Sequence, residues 1–210
     1  ELNFNRWIDE YGQDPKARSL NYVGHMEAYL GFPDRATETM HQSISYAQSL
    51  DSPFEVQFLH ACTGIIHFYL NNIEQTQQHA AAQYQIANDK NLSWAAAHSL
   101  VFSGWAENQK KEPGSLEKIK LGLQQMESFG STSFDSIGHW WLAYIDAAIR
   151  SRHYEAANKK IEYILSTISS LGCNAVLPEV LRLKGLCSVG LNGSSLELAE
   201  TVFLQSMAEA

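Results

Sequence analysis

The amino-acid sequence predicts an all-α protein built as an α-solenoid, and three observations predict it. Residue markers recur every 40 positions, apolar residues keep the three-and-four spacing of a buried helical face, and no segment alternates with period two over strand length. Gly24, Gly64 and Gly104 set the register, which continues at Tyr144 and Gly185; Phe54, Trp94 and Phe134 repeat it independently. Such a period holds two helices of about 16 residues, each about 24 Å long, with two short connections. A hairpin of this kind cannot bury its apolar face alone, so neighbours stack into a continuous core. The expectation is one domain over 1–210 with about five helix-turn-helix repeats.

The elements follow from local punctuation. Residues 1–13, with Trp7, Ile8 and Tyr11 on one helical face, read as the end of a preceding repeat. Asp14-Pro15 opens a helix over 15–30, and Pro33-Asp34 opens its partner over 34–50. Ser52-Pro53-Phe54-Glu55 combines a cap, a proline in the first turn and a glutamate placed for a capping box, starting 53–70. Phe58, Ala61, Cys62, Ile65, Ile66 and Tyr69 form its buried face. The next helix runs over 73–90. Ser93 begins 93–110, and Pro113-Gly114-Ser115 begins 115–129. Helices over 134–151, 154–171, 177–191 and 195–210 complete the set, the last opened by the cap-to-glutamate spacing of Ser194 and Glu197. A glycine inside each first helix costs up to about 1 kcal/mol in propensity, so its recurrence implies close approach of a neighbouring helix.

Composition narrows the function classes. The chain has 210 residues, 45% hydrophobic and 18% charged, with a net charge of −8, which suits a folded acidic protein and excludes a disordered one. Lys and Arg number 15 against 23 acids, too few to favour direct nucleic-acid binding. No apolar run reaches the length of a membrane span, and the N-terminus lacks a signal-peptide pattern. Cys62, Cys173 and Cys187 are odd in number and without paired spacing, as expected for reduced thiols in a cytoplasmic protein. The start at Glu1 reads as a piece of a longer polypeptide.

Chemistry has no visible carrier in the sequence. Of the 8 histidines, no two share the three- or four-residue spacing for one ion, and His60 and His67 lie two turns apart. Glu38-x-x-His41 is not repeated, Gly185–Gly190 falls inside a helix, and Gly190–Ser195 lacks the lysine of a phosphate loop. The expectation is therefore no catalytic residue, no metal site and no cofactor.

A small residue eight positions into the first helix with an alanine opening the second, Gly24 with Ala36, resembles the tetratricopeptide repeat in a longer, degenerate form. That resemblance implies an inner surface carrying Arg18, Asn21, His25, Phe68, His98, Val101, Trp105, Asn108, Trp141, Ile145, Glu179 and Arg182. Phe68, Trp105 and Trp141 would form an aromatic anchor strip for a peptide, with Asn21, His25, His98 and Arg182 as polar contacts. The alternative is that these aromatics are interhelical core.

A second resemblance rests on Gly12-Gln13-Asp14-Pro15, Tyr29-Leu30-Gly31-Phe32-Pro33-Asp34-Arg35-Ala36, Ser52-Pro53-Phe54, Gly104-Trp105-Ala106 and Leu181-Arg182-Leu183-Lys184-Gly185. This pattern looks like the helical-repeat region of bacterial signalling ATPases of the STAND type, linked to cyclase or transcription-regulating modules. It implies a non-enzymatic sensor and interaction arm whose partner is a protein, a peptide, a small-molecule signal or another module of the same polypeptide. The other reading is a structural scaffold for self-association or complex assembly.

Overall fold

The structure is a computed structural model that describes residues 13–129, 138–171, 174–192 and 196–210. Ten helices follow one another among these residues: α1 (Pro15–Tyr29), α2 (Pro33–Ser49), α3 (Pro53–Tyr69), α4 (Ile73–Asp89), α5 (Ser93–Gln109), α6 (Ser115–Ser128), α7 (His139–Arg150), α8 (Tyr154–Leu171), α9 (Leu177–Asn192) and α10 (Leu196–Glu209). No strand occurs among the described residues. Residues 1–12 of the expected leading segment 1–13, the marker Phe134, Cys173 and the Ser194 cap lie outside them.

The starts are held by the chemistry the sequence announces. Asp14 Oδ1 accepts from the Ala17 amide at 2.8 Å with Pro15 in the first turn, Ser52 accepts from Glu55, and Asn72 accepts from Gln75 at 3.2 Å. The ends share one device. Gly31, Asp51, Asn71, Asn91 and Lys111, each twenty residues after the last, and Arg152, about two such steps further on, all take positive φ, between 50° and 81°. Behind most of them an amide reaches back five residues: Phe32 to Glu27 at 2.8 Å, Asn72 to His67 at 2.9 Å, Leu92 to Ala87 at 2.8 Å, Glu112 to Glu107 at 3.0 Å and His153 to Ala148 at 2.8 Å. This is the left-handed turn that closes a helix while satisfying its last carbonyls. It reverses the chain within three residues, so consecutive helices pack as hairpins.

Each helix packs on its successor, and α1, α3, α5, α7 and α9 also pack on one another in sequence. The odd-numbered helices thus form one layer and the even-numbered ones fill the gaps, the contact order of an α-solenoid. The core runs through this stack. Leu59, Cys62 and Ile66 of α3 join Ala17, Ala36, Met40 and Ile44 behind them, while Ile65 and Phe68 join Val101, Phe102 and Trp105 ahead. Helix α3 is consequently buried nearly all round, polar residues such as Glu55, Gln57 and His67 included, as a helix flanked on several sides must be.

The recurring glycines sit at helix contacts, with unequal tightness. A Cβ on Gly104 would lie 2.8 Å from Ile119 Cγ1 and 3.0 Å from the Ser115 carbonyl oxygen; on Gly24 it would meet the flexible end of Met40, and on Gly64 only His79 Cβ at 3.5 Å. Gly104→Ala is therefore expected to destabilise by about 1–3 kcal/mol through overpacking against backbone, whereas Gly64→Ala is neutral or stabilising by up to about 1 kcal/mol. Paired urea titrations check the difference. Lys111→Gly, which relieves a side chain held in the left-handed region (φ 61°), is expected to raise stability by about 0.5–1 kcal/mol in the same assay.

Candidate functional site

Where four odd helices meet, the odd-helix layer carries a polar cavity of about 240 Å³ lined by Phe68, Tyr69 and Asn71 at the end of α3, Trp105 of α5, Asp146 and Arg150 of α7, and Glu179 and Arg182 of α9. Its floor is aromatic: Phe68 meets Trp105 edge-on with ring centroids 4.9 Å apart. The hub is Asp146, a buried acid within the apolar run of α7. Its Oδ2 accepts from Trp105 Nε1 at 2.8 Å, Gln109 Nε2 at 2.8 Å and Arg150 Nε at 3.2 Å. A buried carboxylate persists only with such partners, so these bonds lock α5 against α7. Across the cavity Arg182 donates to Glu179 through Nε and Nη2, both at 2.7 Å. That bidentate pairing, with Asp146 nearby, raises the Arg182 pKa and keeps the guanidinium charged. The Tyr69 hydroxyl is 2.7 Å from His139 Nδ1, and burial beside Tyr29 and Glu179 holds it well above an ordinary phenol.

Of the twelve sequence-predicted residues, Val101 and Ile145 are buried in the core and Glu179 lines this cavity. Phe68, Trp105 and Arg182 do meet at this cavity. Asn21, His98 and Asn108 are buried between helices, His98 Nδ1 lying 3.0 Å from Gln83 Oε1 and Asn108 Nδ2 donating to Ser115 and Ser151 at 3.2 and 3.0 Å. Arg18 is tied to Glu55 at 3.2 Å over the Phe58 ring, and His25 packs by Tyr29. Trp141 lines a separate depression of about 510 Å³ among α6, α7 and α8, under the Lys160 ammonium 3.3 Å from its ring centre.

The continuous aromatic anchor strip is therefore corrected. Phe68 and Trp105 are buried interhelical core, because α3 and α5 are each flanked by odd helices on both sides and lose those positions to packing. They line the cavity only as its floor, and the rest of the lining includes Tyr69 and Arg150 at the ends of α3 and α7 and the acid Asp146. A lone aspartate inside Trp140–Ile149 was the signal available in sequence.

The fold also assembles histidines that are scattered in the sequence. His79 of α4 lies between His60 and His67 of α3, supplying the element that two turns of one helix lack. Its Nδ1 is 2.9 Å from that of His60, its ring stacks on His67 at 5.5 Å, and His41 follows at 6.4 Å. Among the described residues no group of three His, Cys, Asp or Glu is arranged to hold a metal ion. Burial, then the neighbouring histidines, lowers His79 to about 3. Burial similarly lowers His98 to about 3 and His139 to about 4. Burial pushes the Cys62 thiol up to about 12 and Cys187 upward as well, so neither is a ready nucleophile. No described helix is long and apolar enough to cross a membrane.

No family model and no curated protein matches the chain. The fold and cavity define a class, an all-helical stack of hairpins with a polar groove on one layer.

The buried histidines set a pH dependence. An unfolded histidine titrates near 6.5 and takes up a proton that the folded ring refuses, so the unfolded state binds more protons below that pH. Stability is fully present above about pH 6.5 and falls as pH drops toward 3–4, the folded values of His79, His98 and His139. Thermal melts at pH 7.5 and 5 are expected to differ by several degrees, and the difference is expected to shrink in His79→Asn.

Proposed function

We propose that this chain is a tetratricopeptide-like binding module with about five repeats and no enzymatic role of its own, which holds a peptide segment of a protein partner in the odd-helix groove. The observation that carries the reading is the cavity where α3, α5, α7 and α9 converge, with an aromatic floor and half-exposed Arg150 and Arg182 at its rim. Four consecutive odd helices contribute to it, so an occupant would read several hairpins at once and respond to their relative tilt. Main-chain carbonyls and a carboxylate of the peptide would take the two guanidinium groups, Glu179 would accept a donor, and the Tyr69 hydroxyl would set the end of the groove. Signal relay would follow from small changes in superhelical curvature accumulated along the stack. Within the signalling-ATPase architecture that the sequence resembles, such a module would be the sensor and interaction arm, acting on a partner or on other modules of the same polypeptide in the cytoplasm of a bacterium.

Selection from a displayed random-peptide library, followed by fluorescence anisotropy with the selected peptides, tests the reading. Arg150→Ala with Arg182→Ala is expected to weaken binding tenfold or more, and Tyr69→Phe by less, with circular-dichroism helicity unchanged. Peptides that bind equally well to all variants would overturn it.

A further inference from the structure

The depression of about 510 Å³ among α6, α7 and α8 is charged quite differently from the odd-helix cavity. The cavity pairs two guanidinium groups with two carboxylates, Arg150 with Asp146 and Arg182 with Glu179. The depression instead sets three ammonium groups, Lys120, Lys159 and Lys160, against the single carboxylate of Glu127. In a chain of net charge −8 this local excess runs against the overall balance. Three helices interior to the stack form the depression, and every residue lining it lies within one of them.

The lysines have little to neutralise them. Lys160 Nζ lies 3.3 Å from the Trp141 ring centre and 5.0 Å from that of Tyr163. Ring faces attract a cation without cancelling its charge. Among the described residues no carboxylate lies within ion-pair distance of Lys159 or Lys160, and Lys120 reaches only Glu117, at 3.9 Å along its own helix. Burial lowers the Lys160 pKa, and the charge of Glu127 acts in the opposite direction. A partly buried cation without a counter-ion is the feature that an incoming anion would complete.

The walls between these charges are aromatic or apolar. Trp141 and Tyr144 stand nearly perpendicular, with ring centroids 6.1 Å apart, and Tyr163 is half-exposed on the facing helix. Leu123 and Ala156 add aliphatic surface. Rings set at such angles receive another ring by edge or face, and the volume lies in the range of small-molecule pockets.

We propose that this depression binds a small organic anion with a flat aromatic body, its anionic group held by Lys160 and Lys159 and its ring by Tyr144 and Tyr163. The site shares no lining residue with the odd-helix groove and does not depend on a peptide occupying that groove. An occupant would touch α6 and α8, which belong to successive hairpins, and so would hold their relative tilt.

Titration of the 210-residue chain with cinnamate, followed by backbone amide chemical shifts, tests the site. Cinnamamide serves as the uncharged counterpart and octanoate as an anion without a ring. Cinnamate is expected to give saturable shifts confined to α6, α7 and α8, with cinnamamide and octanoate each binding about fivefold more weakly or worse. Lys160→Met, which keeps an apolar stem on Trp141 and removes the charge, is expected to weaken cinnamate about tenfold with helicity unchanged. Lys159→Met, at an exposed position, is expected to weaken it by less and decides the question should Lys160→Met fail to fold. Absence of saturable shifts up to the solubility limit, shifts centred on the odd-helix groove, cinnamamide or octanoate binding as tightly as cinnamate, or folded lysine variants that keep wild-type affinity would each overturn the proposal.

Discussion

Two helices of some seventeen residues joined by a three-residue turn have more apolar surface than they can cover for each other, and everything else in this chain follows from that shortfall. Each hairpin must lean on the next, and the lean decides which residues are core. Cys62 and Ile66 face backward, Ile65 and Phe68 face forward, and the same division passes along the odd helices to α9. Glycine at Gly104 allows α6 to lie against α5 at backbone distance, which brings Ile119 and Leu123 within the shared core. Where packing is looser, as at Gly64, the space is taken by a histidine side chain.

The same lean creates the polar cavity. Side chains pointing directly at the neighbouring odd helix are consumed by packing, so a groove can be built only from residues near helix ends or from a polar group that the core is forced to accommodate. Asp146 is that group. By gathering the Trp105 indole, the Gln109 amide and the Arg150 guanidinium on one oxygen, it turns an unfavourable burial into a fixed junction between α5 and α7. Arg182 and Glu179 then face this junction as a preformed pair whose outer edges remain accessible. Rigid placement of a few charged groups above an aromatic floor is the arrangement that favours recognition over chemistry.

Much of the fold was legible in the sequence, because helix starts and period depend on local chemistry. Pro15, Pro33 and Pro53 stand where the helices begin, and the bounds of the described helices fall within two residues of those expected, except that α7 is described only from His139. The site was less legible. Arg182 and the aromatic pair Phe68 and Trp105 were singled out and do meet, but as rim and floor rather than as an exposed strip. Tyr69 and Arg150 escaped notice because an inner-surface rule that counts from the helix middle says nothing about the last turn. The histidine cluster was invisible for another reason: His79 reaches His60 and His67 only through the α3–α4 hairpin, a relation that spacing along one helix cannot express.

The reversing turns are written in main-chain hydrogen bonds, and their left-handed position is filled by Gly, Asp, Asn, Lys and Arg alike. The chain thus admits varied side chains at these corners yet is intolerant of altered length within the rods between them. Loss of a single residue inside any helix would rotate all that follows by about 100°, carrying core side chains into solvent and solvent side chains into core. Sequence drift in such a molecule should accumulate as substitution, with insertions and deletions admitted only at the corners or in whole hairpins.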